Sequence, residues 1–593
     1  MPLKRSLGRL LPYYRPYRRL VSLGLVMIVV SSALGSVPPW LVRSAIDGIR
    51  NNAPFSRILQ LAGAMVGLAV IAGAMRYYMR ELLNGLSRYI EFDLRNDLFK
   101  QLASLDASFY GKHRTGDLMA RLTNDLSAVR MAAGPAVMYL ASTVFGGIFA
   151  LWFMLRIDAR LTGIALLPMI FLPIAATVLG REIHRRFEAV QEFFGHMTTM
   201  AQENLSGARI VRAYRQENAE IERFRGMGEE YREKNMHLMR LDATMHPSFM
   251  LLAGLGGVVV LGMGGSLVIK GTITVGALVA FSLYLAMLTW PLIALGWVVN
   301  LFQRGAASME RLLVILDGRS MVSESTSTRP LPPRSNASGR SIEFRNVSFH
   351  YPVSGDTLPR WVLRNVSFTV PAGATLGVVG ATGSGKSALL DLVPRVYDPQ
   401  EGEIRIDGVP TRDLSLAELR AEVGYVPQES FLFSDSIGHN LSYGAPDESA
   451  GRWGAEVAQL ARTIEEFPGG FETMLGERGI NLSGGQKQRA ALARALARKP
   501  AVVLMDDALS AVDTHTEAEI LRTLRTALAG RTALISSHRV SAIRDATWII
   551  VLDDGRVVEQ GTHDQLFAMG GRYWSLLRRQ QLEESLEEPT LAP

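Results

Sequence analysis

Apolar positions crowd into the first half of the chain. Leu20–Val42, Met131–Leu155, Leu161–Gly180, Pro247–Ile269 and Gly271–Gln303 contain no Asp, Glu, Lys or Arg, and Ile58–Met75 is a shorter run of the same kind. A helix needs about 20 such residues, at about 1.5 Å each, to cross a bilayer. The pattern predicts six membrane-spanning helices, the second continuing past Arg76 as a helix that leaves the bilayer. Six buried core helices are the alternative, and six in one chain argue against it. The first run is too long for a cleavable leader and no small-residue cleavage site follows it. The polar stretches Arg76–Arg130 and Arg181–His246 keep apolar residues at helical spacing, in Leu94–Leu98–Leu102–Leu105 and Ala201–Leu205–Ala208–Val211. Lys4, Arg5, Arg9, Arg15, Arg18 and Arg19 precede the first run, which places the N-terminus in the cytoplasm. The two long polar stretches then lie on the cytoplasmic side.

The pattern changes after Asp317–Arg340, a stretch rich in Ser, Thr, Pro and Arg that reads as a linker. Beyond it, short β-branched runs (Thr375–Val379, Ala501–Met505, Thr532–Ser536, Trp548–Leu552) alternate with helical stretches. Such alternation predicts an α/β domain with a largely parallel sheet. The expected organisation is a six-helix all-α transmembrane domain over 1–316, a linker over 317–340 and an α/β domain over 341–593.

Composition agrees with a membrane protein. The 593 residues are 48% apolar and 20% charged, with a mean hydropathy of +0.14. That excludes disorder. The absence of Cys excludes a disulfide scaffold and a Cys-based zinc site. A net charge of +7 is compatible with nucleic acid or anionic lipid and decides neither.

The chemistry is concentrated in the second half. Leu376–Gly380 reads as a strand running into Gly380-Ala-Thr382-Gly383-Ser384-Gly385-Lys386-Ser387, and Ala388–Val396 reads as helix. This is the P-loop pattern in its required context. Glycines let backbone N–H groups turn toward phosphate, and the helix start adds favourable partial charge. Lys386 would reach the β- and γ-phosphates of ATP and Ser387 would ligate Mg²⁺. Ala501–Met505 ends in Asp506-Asp507, a second strand that delivers one carboxylate to the metal and the next toward an attacking water.

Leu482-Ser483-Gly484-Gly485-Gln486 resembles the signature of ATP-binding-cassette proteins. The resemblance implies two cassettes closing head-to-tail, each signature meeting the ATP held by the opposite P-loop. Further matches follow in order. Tyr351 resembles the aromatic that stacks on adenine, and Gln428 the residue that links Mg²⁺ to the membrane-facing lobe. Gly476-Glu-Arg-Gly479 is similar to a segment specific to exporters. Ser510-Ala-Val-Asp513 resembles the loop that crosses between cassettes, and His538 the histidine on the γ-phosphate. Phe109-Tyr110 with Arg114–Leu118 and Arg121–Asp125, and Gln202–Gly207 with Ile210–Tyr214, resemble the two intracellular loops of ABC exporters, each with a short coupling helix. With one cassette and six spans, the chain reads as a half-transporter of the bacterial inner membrane, exporting hydrophobic or amphipathic small molecules, lipids or peptides. A regulator or ATP-gated channel is a rival reading. A soluble cassette ATPase acting on nucleic acid is argued against by the spans, so no nucleic-acid partner is expected.

Two positions depart from the family pattern. Asp507 stands where hydrolytic members carry Glu, and Ala388 where Thr is usual. Asp is one methylene shorter, and a misplacement of about 1 Å can cost roughly 10²-fold in rate. The intact signature beside a short acid resembles one subunit of the heterodimeric exporters, in which one composite site is degenerate. A homodimer with two slow sites is the alternative. For the cargo cavity, Met138, Tyr139, Trp152, Tyr284, Met287, Trp290 and Trp297 are the adaptable apolar candidates. Gly254-Leu-Gly-Gly257 and Gly262-Met-Gly-Gly265 are expected to permit close helix approach.

Overall fold

The computed structural model describes residues 6–587 apart from 325–327, 335–338, 353–358, 477, 478 and 480. The chain divides into two compact units: Met1–Ala103 with Thr115–Gly318, and Ser104–Arg114 with Arg319–Pro593.

Six long apolar helices make up the first unit: α1 (Arg18–Arg50), α2 (Phe55–Ser104), α3 (Thr115–Ile157), α4 (Ala159–Ser206), α5 (Glu217–Ile269) and α6 (Val275–Leu316). At 1.5 Å per residue, α2 is about 75 Å long, more than twice a hydrocarbon core of about 30 Å. It does continue past Arg76 as one helix. No more than 35% of any helix's most apolar window is buried within the chain. Most of that surface is therefore stabilised only where lipid or another subunit covers it. Asp158 caps α4 by accepting from the Leu161 N–H at 2.7 Å, and Thr274 caps α6 through Ala277 at 3.0 Å. Pro38 and Pro39 open the second half of α1, after the helix breaks behind Gly35.

The stripe Leu94, Leu98, Leu102 and Leu105 is buried, as its spacing predicts. The second stripe is not continuous. Helix α4 ends at Ser206, Gly207 turns the chain, and a short helix Ala208–Ala213 follows, leaving Leu205 79% exposed. Close approach also holds at only part of the glycine pairs: a Cβ at Gly256 would lie 3.3 Å from the Ala165 carbonyl, whereas Gly254 and Gly257 face open space.

In the second unit, six strands are ordered β10-β9-β3-β8-β7-β6. These are β3 (Thr375–Gly380), β6 (Val423–Val426), β7 (Val502–Asp506), β8 (Thr532–Ser536), β9 (Trp548–Asp553) and β10 (Arg556–Gly561). All neighbours pair in parallel except the edge strand β10. Every residue of β7 is buried, which its continuous apolar run reflects. An antiparallel sheet, β2-β1-β4-β5, was not foreshadowed by the sequence reading. It comprises β1 (Ile342–Phe349), β2 (Leu363–Val370), β4 (Glu401–Ile406) and β5 (Val409–Pro410). The described part of the linker is anchored to this unit. Arg340, 4% exposed, pairs with Asp407 at 2.8 Å and Glu422 at 3.3 Å. Asp106 caps the short helix Ala107–Lys112 and also accepts from the Val322 N–H at 2.9 Å and the Ser320 hydroxyl at 3.1 Å.

Candidate nucleotide site

Strand register assembles the site. Val378 of β3 pairs with Ser536 of β8, Ser536 with Asp506 of β7, and Met505 with Val426 of β6. The carboxyl ends of four parallel strands therefore lie side by side. They release the glycine loop after Gly380, His538, Asp507 and Gln428 at one edge, where open α/β sheets bind ligands.

The glycine loop has the backbone that phosphate binding needs. Gly383 and Gly385 take φ of +81° and +104°, and a Cβ at Gly385 would come within 2.9 Å of the Val362 carbonyl. The helix Lys386–Leu392 starts at once. Lys386 is buried, and its Nζ donates to the Gly380 and Ala381 carbonyls at 2.8 and 3.0 Å. Burial lowers its pKa, while the charges of Asp507 and Asp506 act in the opposite sense. The Ser384 hydroxyl is buried without a hydrogen-bond partner, an orphan donor aligned with the loop's use. Thr382 is exposed, Ser387 half-buried, and the Ala388 methyl belongs to the apolar core. A left-handed nest, a folded-back lysine and an unpaired serine fit a bound nucleotide phosphate.

Asp506 is 3% exposed and accepts from the Ser536 hydroxyl. Asp507 takes φ of +47°, a conformation that Asp tolerates better than most residues. Its carboxylate accepts from the His538 N–H at 3.4 Å and stands 4.0 Å from His538 Nε2. Asp507 and His538 are thus neighbours. Gln428 is exposed, two residues beyond β6, at the same edge.

The remaining residues occupy other places. Tyr351 is 39% exposed and meets Phe349 and Tyr397 edge-on at 5.0 and 5.3 Å. Burial, then the Asp391 charge, pushes its phenol up to about 12. The signature opens the helix Gly484–Ala497. Ser483 and Gln486 form a reciprocal capping box, and Leu482 is buried. Among the described residues no hydrogen bond joins Leu482–Gln486 to the glycine loop. Asp513 caps the helix Thr514–Ala527 through the Thr516 N–H at 2.9 Å, and that bond holds its carboxyl below the usual range. In Gly476–Gly479, Glu477 and Arg478 lie outside the described residues.

Two site-shaping groups escaped the sequence reading. Gln488, buried in the signature helix, accepts from the Ala511 N–H at 2.8 Å and donates to the Ser510 hydroxyl at 2.9 Å. Gly485 lets the same loop approach, since a Cβ there would lie 2.7 Å from the Ala511 carbonyl. Asp391, on the helix after the glycine loop, accepts from the Tyr425 hydroxyl at 2.7 Å. Burial raises its carboxyl to about 6. Gln488 lies in the Lys487-Gln488-Arg489 run that follows the signature, yet neither it nor Asp391 has a role that spacing announces.

The candidate cavity residues divide. Met138, Tyr139, Met287 and Trp290 line one cavity of about 330 Å³ in the membrane unit. Tyr284 is instead fully buried, stacks on Phe153 at 5.2 Å and donates to the Ser36 carbonyl at 2.8 Å. Trp152 packs edge-on against Phe153, and Trp297 against Tyr139. The cavity is also not wholly apolar, because Arg76 and Arg80 belong to its lining.

Comparison with known proteins agrees with this construction. The family model of the ABC transporter transmembrane region matches residues 21–292, and that of the ABC transporter domain matches 363–510. The chain is 37% identical over 574 residues to the probable multidrug resistance ABC transporter ATP-binding/permease protein YheI of Bacillus subtilis, covering 96% of this chain and 97% of that protein. This chain belongs to the ABC transporter family. It is also 34% identical to the ATP-dependent lipid A-core flippase of Syntrophus aciditrophicus, over 98% of this chain and 95% of that one. The solved structure of a bacterial Atm1-family ABC exporter with ATP bound superposes with a TM-score of 0.77 at 28% identity, covering 95% of this chain and 99% of that one. This ABC exporter thus has a membrane region of six apolar helices followed by an α/β nucleotide-binding domain that binds ATP and couples its hydrolysis to transport.

Proposed function

We propose that this ABC exporter is one half of a heterodimer in the bacterial inner membrane, with the N-terminus and cassette cytoplasmic. It moves hydrophobic or amphipathic compounds outward. The observation that carries the reading is Asp507: a short carboxylate, in a left-handed turn, against His538. Its own glycine loop and Asp507 then form a site that holds ATP and hydrolyses it slowly. Its unaltered Leu482–Gln486 completes a competent site on a partner that carries Glu at the corresponding position. Support for completion in trans is that, among the described residues, no hydrogen bond joins Ser483 to the glycine loop. The names of YheI and of the lipid A-core flippase support drugs and lipids as cargo classes.

The geometry supports the following residue roles. Backbone N–H groups of Gly383–Lys386 cradle the phosphates, and Lys386 neutralises them. Tyr351 offers its exposed edge to adenine. Mg²⁺, when bound, spreads the phosphate charge, and Ser387, Asp506 and Gln428 are the groups that would hold it. Asp507 orients water, and His538 donates toward the γ-phosphate. Closure of two cassettes over ATP shifts the membrane helices toward the outward-open state, because ATP binds the closed pair more tightly.

The test compares the chain alone with the chain co-purified with a Glu-bearing partner. Asp507→Asn should lower ATPase of the pair less than about twofold, whereas replacing the partner's Glu by Gln should cost about 10²-fold or more. A lone chain that dimerises and turns over as fast as that pair overturns the reading.

A further inference from the structure

His538 stands on a loop at the edge of the parallel sheet. Its imidazole is exposed and lies 4.0 Å from the Asp507 carboxylate, beyond hydrogen-bond distance. A loop side chain of this kind is aimed by whatever fixes the backbone around it. The two residues that follow are each held from a distant part of the chain. Arg539 donates from its guanidinium to Glu517 at 2.6 Å. Glu517 is buried in the first turn of the helix Thr514–Ala527. Val540 donates its backbone N–H to Gln580 Oε1 at 2.8 Å. Gln580 belongs to the helix Arg572–Glu587. Val540 and Tyr573 of that helix share a buried apolar cluster, with Leu576 and Leu577 packed against it. The Arg539 N–H closes the turn on the Ser537 hydroxyl at 2.9 Å.

Apolar packing alone would join these elements. A buried carboxylate is costly unless paired, and replacing a buried ion pair by apolar groups is often neutral or stabilising. What the polar contacts add is direction, because a hydrogen bond fixes atoms within a few tenths of an ångström where apolar surfaces can slide. Both contacts fall on the two residues after His538. We propose that Glu517 and Gln580 are positioning residues for His538: they fix Arg539 and Val540 and so hold the imidazole toward the γ-phosphate. Neither touches the nucleotide. The inference rests on the γ-phosphate role of His538 given above and names what maintains it. It also makes the helix Arg572–Glu587, far from the glycine loop in sequence, a working part of the nucleotide site.

The test uses the full-length chain in nanodiscs, titrated with mant-ATP and mant-ADP in the presence of Mg²⁺. Glycine loop, Asp507 and His538 belong to one cassette, so the chain alone suffices. A contact to the γ-phosphate registers only in ATP affinity. His538→Ala should lower the preference for ATP over ADP about tenfold. Glu517→Gln and Gln580→Ala should each lower it about fivefold, with ADP affinity unchanged. Gln580→Glu keeps an acceptor for the Val540 N–H and should retain most of the preference. In the His538→Ala background neither substitution should lower it further. Should Glu517→Gln impair folding, Arg539→Ala removes the same contact from its more exposed side. An unchanged preference in either positioning variant, a parallel loss of ATP and ADP affinity, or a full further loss on top of His538→Ala overturns the inference. If His538→Ala itself leaves the preference intact, the γ-phosphate role of His538 fails and the inference falls with it.

Discussion

Two buried carboxylates, one in each unit, are handled in opposite ways. Glu91 of the membrane unit, with its side chain 11% exposed, is surrounded by Arg88, Arg95 and Arg130. Asp506 of the cassette, 3% exposed, meets the Ser536 hydroxyl and has no arginine or lysine within ion-pair distance among the described residues. A buried charge is costly unless paired. The membrane unit offsets that cost within itself, which makes Glu91 a structural clamp between α2 and α3. The cassette leaves Asp506 open at the edge where four strands end. On the proposed role, its missing counter-charge is one that would arrive with ligand, beside Lys386 and the glycine loop.

The strongest way to sharpen this contrast is Lys386→Ala. Removing the cation should weaken ATP binding at least about 100-fold, measured by fluorescent-nucleotide titration, without lowering the stability of the membrane unit. If binding persists, the open edge is not where phosphate sits. Next comes the matched pair Glu91→Ala and Asp506→Asn. The first leaves Arg130, whose side chain is 16% exposed, without its carboxylate, while Arg88 and Arg95 can turn to solvent, and should cost about 1–3 kcal/mol in thermal unfolding of the purified chain. The second should cost little or nothing in stability yet abolish the Mg²⁺ dependence of nucleotide binding. Similar stability losses in both would erase the distinction.

Asp391 provides the smallest test. Its carboxyl, raised to about 6 by burial, lies above its value of about 4 in the unfolded chain. The folded state therefore holds the proton more tightly. Stability falls as pH rises from about 4 to about 6, and the cost persists above that window. Asp391→Asn should flatten the slope and gain on the order of 2 kcal/mol at neutral pH. An unchanged pH profile would show that Tyr425 already compensates the charge.

Local chemistry explains what was legible in the chain alone. Helices that must cross hydrocarbon need long runs without charge, so α1 to α6 announce themselves. Left-handed turns need glycine, so Gly383 and Gly385 mark the loop, and Lys386, Asp506 and His538 follow at strand ends. Groups that act through packing carry no such mark. Gln488 matters only because folding brings Ala511 against the signature helix. Tyr284 reads like a cavity aromatic and turns out to be a core residue hydrogen-bonded to Ser36. The strands of the β2-β1-β4-β5 sheet are held by partners distant in sequence, such as Ile342 with Ile406.

The order of apolar runs and the spacing of the glycine-loop residues were set by the sequence itself, because backbone conformation and membrane solvation act over a few residues at a time. Which carboxylate is paired and which is left open was decided only by the tertiary structure. So was the gathering of Arg76, Arg80, Met287 and Trp290 around one cavity. Burial and counter-charge depend on groups that approach from far along the chain, and no local pattern records their arrival.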